Sequence, residues 1–154
     1  MKKLFIMLAC WFATIVAVVA GSYLYSHFQA AEYDDRALPY IRKVVPEISQ
    51  WNPEITRSLM AAEALATVSE EQLGRIMGLF SRMGGLRGME TPEFQKVLSQ
   101  EDSGSGMQTV IAYELAATYE NGDALISINL LERDGSFEVY RFNLSSEALA
   151  GSPR

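Results

Sequence analysis

Chemically reactive side chains are scarce in this sequence. Its 154 residues hold one cysteine, Cys10, and one histidine, His27. A lone cysteine excludes a disulfide framework within the chain. One histidine excludes most zinc sites, cysteine–histidine dyads and serine–histidine triads, unless His27 itself carries them. Positive charge is short as well, with 13 basic residues against 19 acidic ones and a net charge of −6. Nucleic-acid binding relies on clustered Lys and Arg to displace counterions, so that class is set aside. No internal repeat is present, and neither Glu70-Glu71 nor Glu101-Asp102 has the spacing of a calcium loop. Gly84-Gly85-Leu86-Arg87-Gly88 lacks the Lys-Ser/Thr pair of a phosphate loop and follows a helix pattern, so it reads as a C-cap and turn. No metal and no cofactor are expected.

Hydrophobic residues make up 49% of the chain and charged ones 21%, a globular balance. They are unevenly placed. After Lys2 and Lys3, residues Leu4 to Tyr25 form an uncharged run of 22. As a helix it would span roughly 33 Å, enough for a hydrocarbon core of ~30 Å. The two lysines favour a cytoplasmic N-terminus. Residues 1–31 are therefore expected to be a single-pass anchor in a bacterial inner membrane, with the remainder in the periplasm. A signal peptide cleaved after Val18-Val19-Ala20, before Gly21, is the alternative. His27 then lies beside the membrane as an interfacial polar residue, without a second histidine or a cysteine partner in the following domain.

Residues 32–150 are expected to form one exported α+β domain, with 151–154 as a tail. Leu38, Ile41, Val44 and Val45 repeat at helical spacing over Tyr33–Val45, with Pro46 as the stop. Asn52 as N-cap, Pro53 at N1 and Glu54 in the first turn open a second helix, with Ile55, Leu59, Ala62 and Ala66 on one face. Ser69 and Gln72 form a capping box ahead of Leu73, Ile76, Met77 and Phe80. Met83-Gly84-Gly85 stops that helix. Trp51 is expected to be a core or staple residue and not a ligand platform.

Beyond residue 108 the period changes to two. Thr109–Tyr119 and Ala124–Leu131 flank Asn121-Gly122, a hairpin signal, and Asp134-Gly135 leads into Ser136–Leu144. If Asn121-Gly122 forms the loop, Leu115 faces Ile128 and Tyr113 faces Leu130 on an apolar face. A short strand between Phe94 and Leu98, a flexible loop from Ser99 to Gly106 and a helical turn over Ser145–Ala150 complete the expectation. Helices followed by an antiparallel meander give an α+β domain with helices on one face of a curved sheet.

Trp51-Asn52-Pro53-Glu54, the helix ending Phe80…Met83-Gly84-Gly85-Leu86, the Asn121-Gly122 hairpin and Leu131 to Val139 together resemble the cystatin-like or nuclear-transport-factor-2-like cone of small exported bacterial proteins. The resemblance covers about Leu38 to Leu149 and implies a concave sheet wrapped around a helix. Enzymes of that superfamily usually carry acidic residues or histidine inside the cone, and this domain has no histidine.

On the opposite sheet face, the expected register aligns Glu114, Asn129 and Tyr140 in one polar row. A carboxylate, an amide and a phenol side by side suit a small polar ligand or acid–base work. A solvated sheet face gives the same pattern with no function. Leu125, Leu131, Phe142 and Leu144 flank that row and predict an interface. The sequence thus points to a non-enzymatic, membrane-anchored periplasmic interaction module, binding a protein partner or a second copy through the sheet. The alternative is a small-ligand-binding or weakly enzymatic cone domain using Glu114, Asn129 and Tyr140, with Arg141 nearby. A pilin-like subunit is a third reading, but its Gly-Phe cleavage signature is absent.

Overall fold

The computed structural model describes residues 14–18, 21, 32–102 and 106–150. The expected anchor, residues 1–31, falls mostly outside these. Residues 14–18 and Gly21 are helical, and Ile15, Val16 and Val18 are exposed. Among the described residues no helix is long and apolar enough to cross a membrane.

The domain begins with helix α1, residues 32–48. Ala37, Ile41, Val44, Val45 and Ile48 are buried along one stripe, the i, i+4, i+7, i+8 pattern of a core-facing helix. The helix runs through Pro46 instead of stopping there. Proline removes the N–H that the Arg42 carbonyl would use, but Arg42 is exposed and the helix ends within one turn. Packing of Ile48 beyond the proline offsets the loss.

Helix α2, Pro53–Leu59, starts as expected: Asn52 Oδ1 accepts from the Glu54 and Ile55 N–H groups at 2.9 and 3.4 Å. It ends early. Met60 is extended, and α3, Ala62–Leu65, is a separate short helix. Thr56 rather than Ile55 is the buried residue of α2, and Ala62 and Ala66 are exposed. The break has a tertiary cause. Met60 forms an isolated parallel bridge with Val139, and the Ala61 N–H donates to the Val139 carbonyl at 2.9 Å. Helix α4, Glu70–Phe80, has both bonds of its capping box, 3.2 Å from Gln72 N–H to Ser69 Oγ and 2.9 Å from Ser69 N–H to Gln72 Oε1. Leu73, Met77 and Phe80 face the core, while Ile76 is exposed. A 3-10 turn, Ser81–Met83, and Gly84 at φ 76° close it.

Five antiparallel strands follow: β1 Leu86–Met89, β2 Glu93–Asp102, β3 Gly106–Tyr119, β4 Gly122–Arg133 and β5 Ser136–Ser145. β1 and β2 both pair with the same side of β3, as two halves of one broken edge; β4 and β5 extend the other side. Gly84 caps the helix end as expected, while Leu86, Arg87 and Gly88 of the expected turn belong to β1. The expected loop from Ser99 to Gly106 is mostly ladder, with Ser99 paired to Thr109 and Asp102 to Gly106. A final turn of helix, α5, spans Glu147–Ala150.

The Asp134-Gly135 hairpin forms as expected, both residues at positive φ and Arg133 opposite Ser136. The other hairpin turns one residue early. Its loop is Glu120-Asn121, and Tyr119 faces Gly122, so Leu115 faces Ile126 and Tyr113 faces Ile128. The segment after α4 imposes this. The Glu120 and Asn121 N–H groups donate to the Gly85 and Met83 carbonyls, both at 3.0 Å, and Asn121 Nδ2 donates to the Arg82 carbonyl at 2.8 Å. The pairing moves by two residues, which keeps every side chain on its expected face. Tyr113, Leu115, Ala117, Ile126, Ile128 and Leu130 accordingly pack with the α1 stripe and with Leu73, Met77 and Phe80 in the main core.

Candidate functional site: a polar groove on the outer sheet face

Two β-bulges shape the face turned away from α1. In β2 the register slips between Phe94 and Lys96, and in β5 between Val139 and Arg141. Both slips fall at one rung of the sheet, Lys96–Ala112–Asn129–Arg141. An extra residue in a strand bends it and re-aims the side chains beyond it. Here it places Val97, Phe142 and Leu144 with the core and Lys96 and Arg141 opposite.

The expected polar row is therefore rearranged. Glu114 lies opposite Ser127 and Asn129 opposite Ala112, two rungs apart along the sheet. Asn129 pairs with Arg141, and Tyr140 is the extra residue of the bulge, in neither rung. Glu114 and Asn129 still share a groove of about 700 Å3, together with Lys96, Ser127, Arg141 and Asn143. Ser127 donates its hydroxyl to Glu114 Oε1 at 3.2 Å. Lys96 and Arg141 stand at opposite sides of one rung, their backbones separated by three strand spacings, roughly 14 Å. Among the described residues neither cation has an ion pair. The groove floor thus presents positive charge on one rung and a hydroxyl-bonded carboxylate two rungs along. That suits recognition of a polar, charged partner.

The four expected interface residues separate. Phe142 and Leu144 pack into the main core because the bulge reverses their side. Leu131 is 1% exposed, sealed with Val110 under Ala61 and Ala64 of the α3 segment. Leu125, at 47%, is the one of the four left open. Leu98, on β2, is exposed on the same face.

The α3 cover is latched by charge. Glu63 Oε1 accepts from Arg133 Nη2 at 2.6 Å and from Gln108 Nε2 at 3.1 Å. The Arg133 hydrogen bond, more than any other influence, holds the Glu63 carboxyl below its ordinary pKa. Among the described residues no group of three or more His, Cys, Asp or Glu side chains could hold a metal ion.

Lys96, Ser127 and Asn143 were missed by sequence reasoning. Their signal was a change of apolar phase: even-numbered Phe94 gives way to odd-numbered Val97, and Val139 gives way to Phe142 and Leu144. A strand whose apolar side changes midway contains a bulge or leaves its sheet. Comparison with known proteins adds no assignment to this geometry: no family model and no curated protein matches the chain.

Proposed function

We propose that this chain is a non-enzymatic recognition module, tethered to a bacterial inner membrane by residues 1–31, that binds its partner through the polar groove on the outer sheet face. The observation that carries this reading is the pair of cations Lys96 and Arg141, unpartnered among the described residues, on a sheet face that α3 covers only at one end. The tether is supported by Lys2, Lys3 and the 22-residue apolar run, and by the exposure of Ile15, Val16 and Val18. A periplasmic domain follows from that orientation. The helix α1 laid on a curved antiparallel sheet is consistent with a cystatin-like cone. Residues 32–154 contain no histidine and no cysteine, which removes the commonest neutral-pH bases and nucleophiles.

Photocross-linking in the membrane tests the reading. A benzophenone side chain at Asn143, in the groove, should give a discrete adduct that is absent from the same probe at Arg42 on α1. Reversing Lys96 and Arg141 to glutamate should remove the adduct. Equal labelling at both positions, or indifference to charge reversal, would overturn the assignment. A mature chain beginning at Gly21 would exchange the tether for secretion. The second reading, a small polar ligand or weak catalysis, rests on the Ser127–Glu114 hydrogen bond. It gains first place if Glu114→Gln alone abolishes biological function at normal abundance.

A further inference from the structure

A second cavity, which meets the polar groove at Arg141 and Phe142, opens at the edge of β5 between α2, α3 and α4. It measures about 320 Å3, near the lower end of the ~300–1,000 Å3 typical of small-molecule sites. Met60, Val68, Leu73, Ile76, Met77 and Phe142 supply apolar wall. The two threonines in the lining have their hydroxyls committed elsewhere. Thr56 donates to Met77 Sδ at 3.4 Å, and Thr67 donates to the Ala64 carbonyl at 2.8 Å. Neither leaves a donor for a ligand inside the cavity. Polarity sits only at the β5 bulge, where Tyr140 and Arg141 complete the lining. Among the described residues neither side chain has a hydrogen bond or ion pair.

We infer that this pocket takes a single-chain carboxylate amphiphile, with its acyl chain between α2, α3 and α4 and its carboxylate at Arg141. An apolar wall with one cation and one phenol at its mouth is complementary to that chemistry. A neutral alcohol leaves Arg141 without a counter-charge, and a cationic amphiphile is repelled by it. At ~30 Å3 per water-sized group, the volume accommodates a chain of about ten carbons. The bulge contributes directly. By inserting Tyr140 it turns Arg141 away from the core while Phe142 closes the wall beneath.

The test uses the full chain in lipid nanodiscs and a photoreactive decanoate carrying a diazirine near the chain end. Label should map to peptides containing Leu73, Met77 or Phe142, saturate, and be competed by plain decanoate at about tenfold lower concentration than by decanol, the scale of one charge-assisted hydrogen bond. Arg141→Gln, a change at an exposed position, should erase the difference between decanoate and decanol. Ile76→Trp, which fills the mouth from an exposed position on α4, should abolish pocket labelling while the circular dichroism spectrum stays native. Label that does not saturate, label confined to residues 1–31, equal competition by decanol on the unaltered chain, or full labelling of Ile76→Trp would each overturn the inference. Arg141 belongs to both sites, but Ile76 lies outside the polar groove, so the Ile76→Trp result separates this inference from the partner-binding test.

Discussion

Trp51 shows how a single residue can be held against its own preference. Its φ of 57° is uncommon for a bulky side chain. The ring compensates: Nε1 donates to the Gly84 carbonyl at 2.8 Å, and the indole packs 5.4 Å from Tyr119 and 6.1 Å from Phe80, centroid to centroid. The core role expected from sequence is met, and the backbone twist just before the Asn52 cap is set by those contacts. Leu115 is the simpler case. It is 2% exposed, opposite Ile126, inside the cluster that joins α1 to the sheet. Leu115→Ala should lower the free energy of unfolding by about 2–5 kcal/mol, read from the denaturant midpoint at constant m-value. An unchanged midpoint would mean that β3 presents its other face to the helices. The burial of Leu115 was legible because a hairpin shifted by two residues keeps its faces. Its partner was not, because Glu120 and Asn121 obey the chain after α4 and not their own turn preference.

At the scale of elements, α3 is the least self-sufficient piece. Four residues cannot form a stable helix alone. It is held by Ala61 and Ala64 over Val110 and Leu131, by the Val139 carbonyl and by the Glu63–Arg133 contact. Because the fold lowers the Glu63 pKa, the charged form is the one stabilised. That contribution is fully present above the ordinary glutamate pKa and is lost as pH falls through the depressed one. Glu63→Gln should therefore lower stability near pH 7 and leave it nearly equal to the unaltered chain at about pH 2. Hydrogen exchange should show the loss first in α3. Identical acid profiles for the two chains would rule out the latch. Nothing in the sequence announced the break at Met60, where no glycine or proline stands, since its cause lies in β5.

For the whole molecule, the decisive irregularity is the bulge at Tyr140. It sends Phe137 and Val139, then Phe142 and Leu144, to the same core despite their opposite parity. Deleting Tyr140 removes the extra residue and leaves Phe137, Val139, Phe142 and Leu144 in one plain alternation, so all four should stay on the core face of a straightened β5. The shortened chain is expected to keep a cooperative thermal transition, whereas its loss would show that the bend itself, and not only the facing of these side chains, is required. The α+β class, the capping signals and the antiparallel meander were legible in the sequence because each is encoded within a few neighbouring residues. The rearranged site was not, because Lys96, Asn129 and Arg141 become one rung only after two strands have bent.

The bridge between Met60 and Val139 also orders events in time. A chain is made from its N-terminus, so α1 through α4 exist before the strands that cover them. The α2–α3 segment stays without its pairing partner until β5 has emerged, and closing so long a stretch costs conformational entropy that only the finished sheet can offset. The last piece of this domain to lock is thereby the one that stands near its beginning: the α2–α3 segment waits for the final strand.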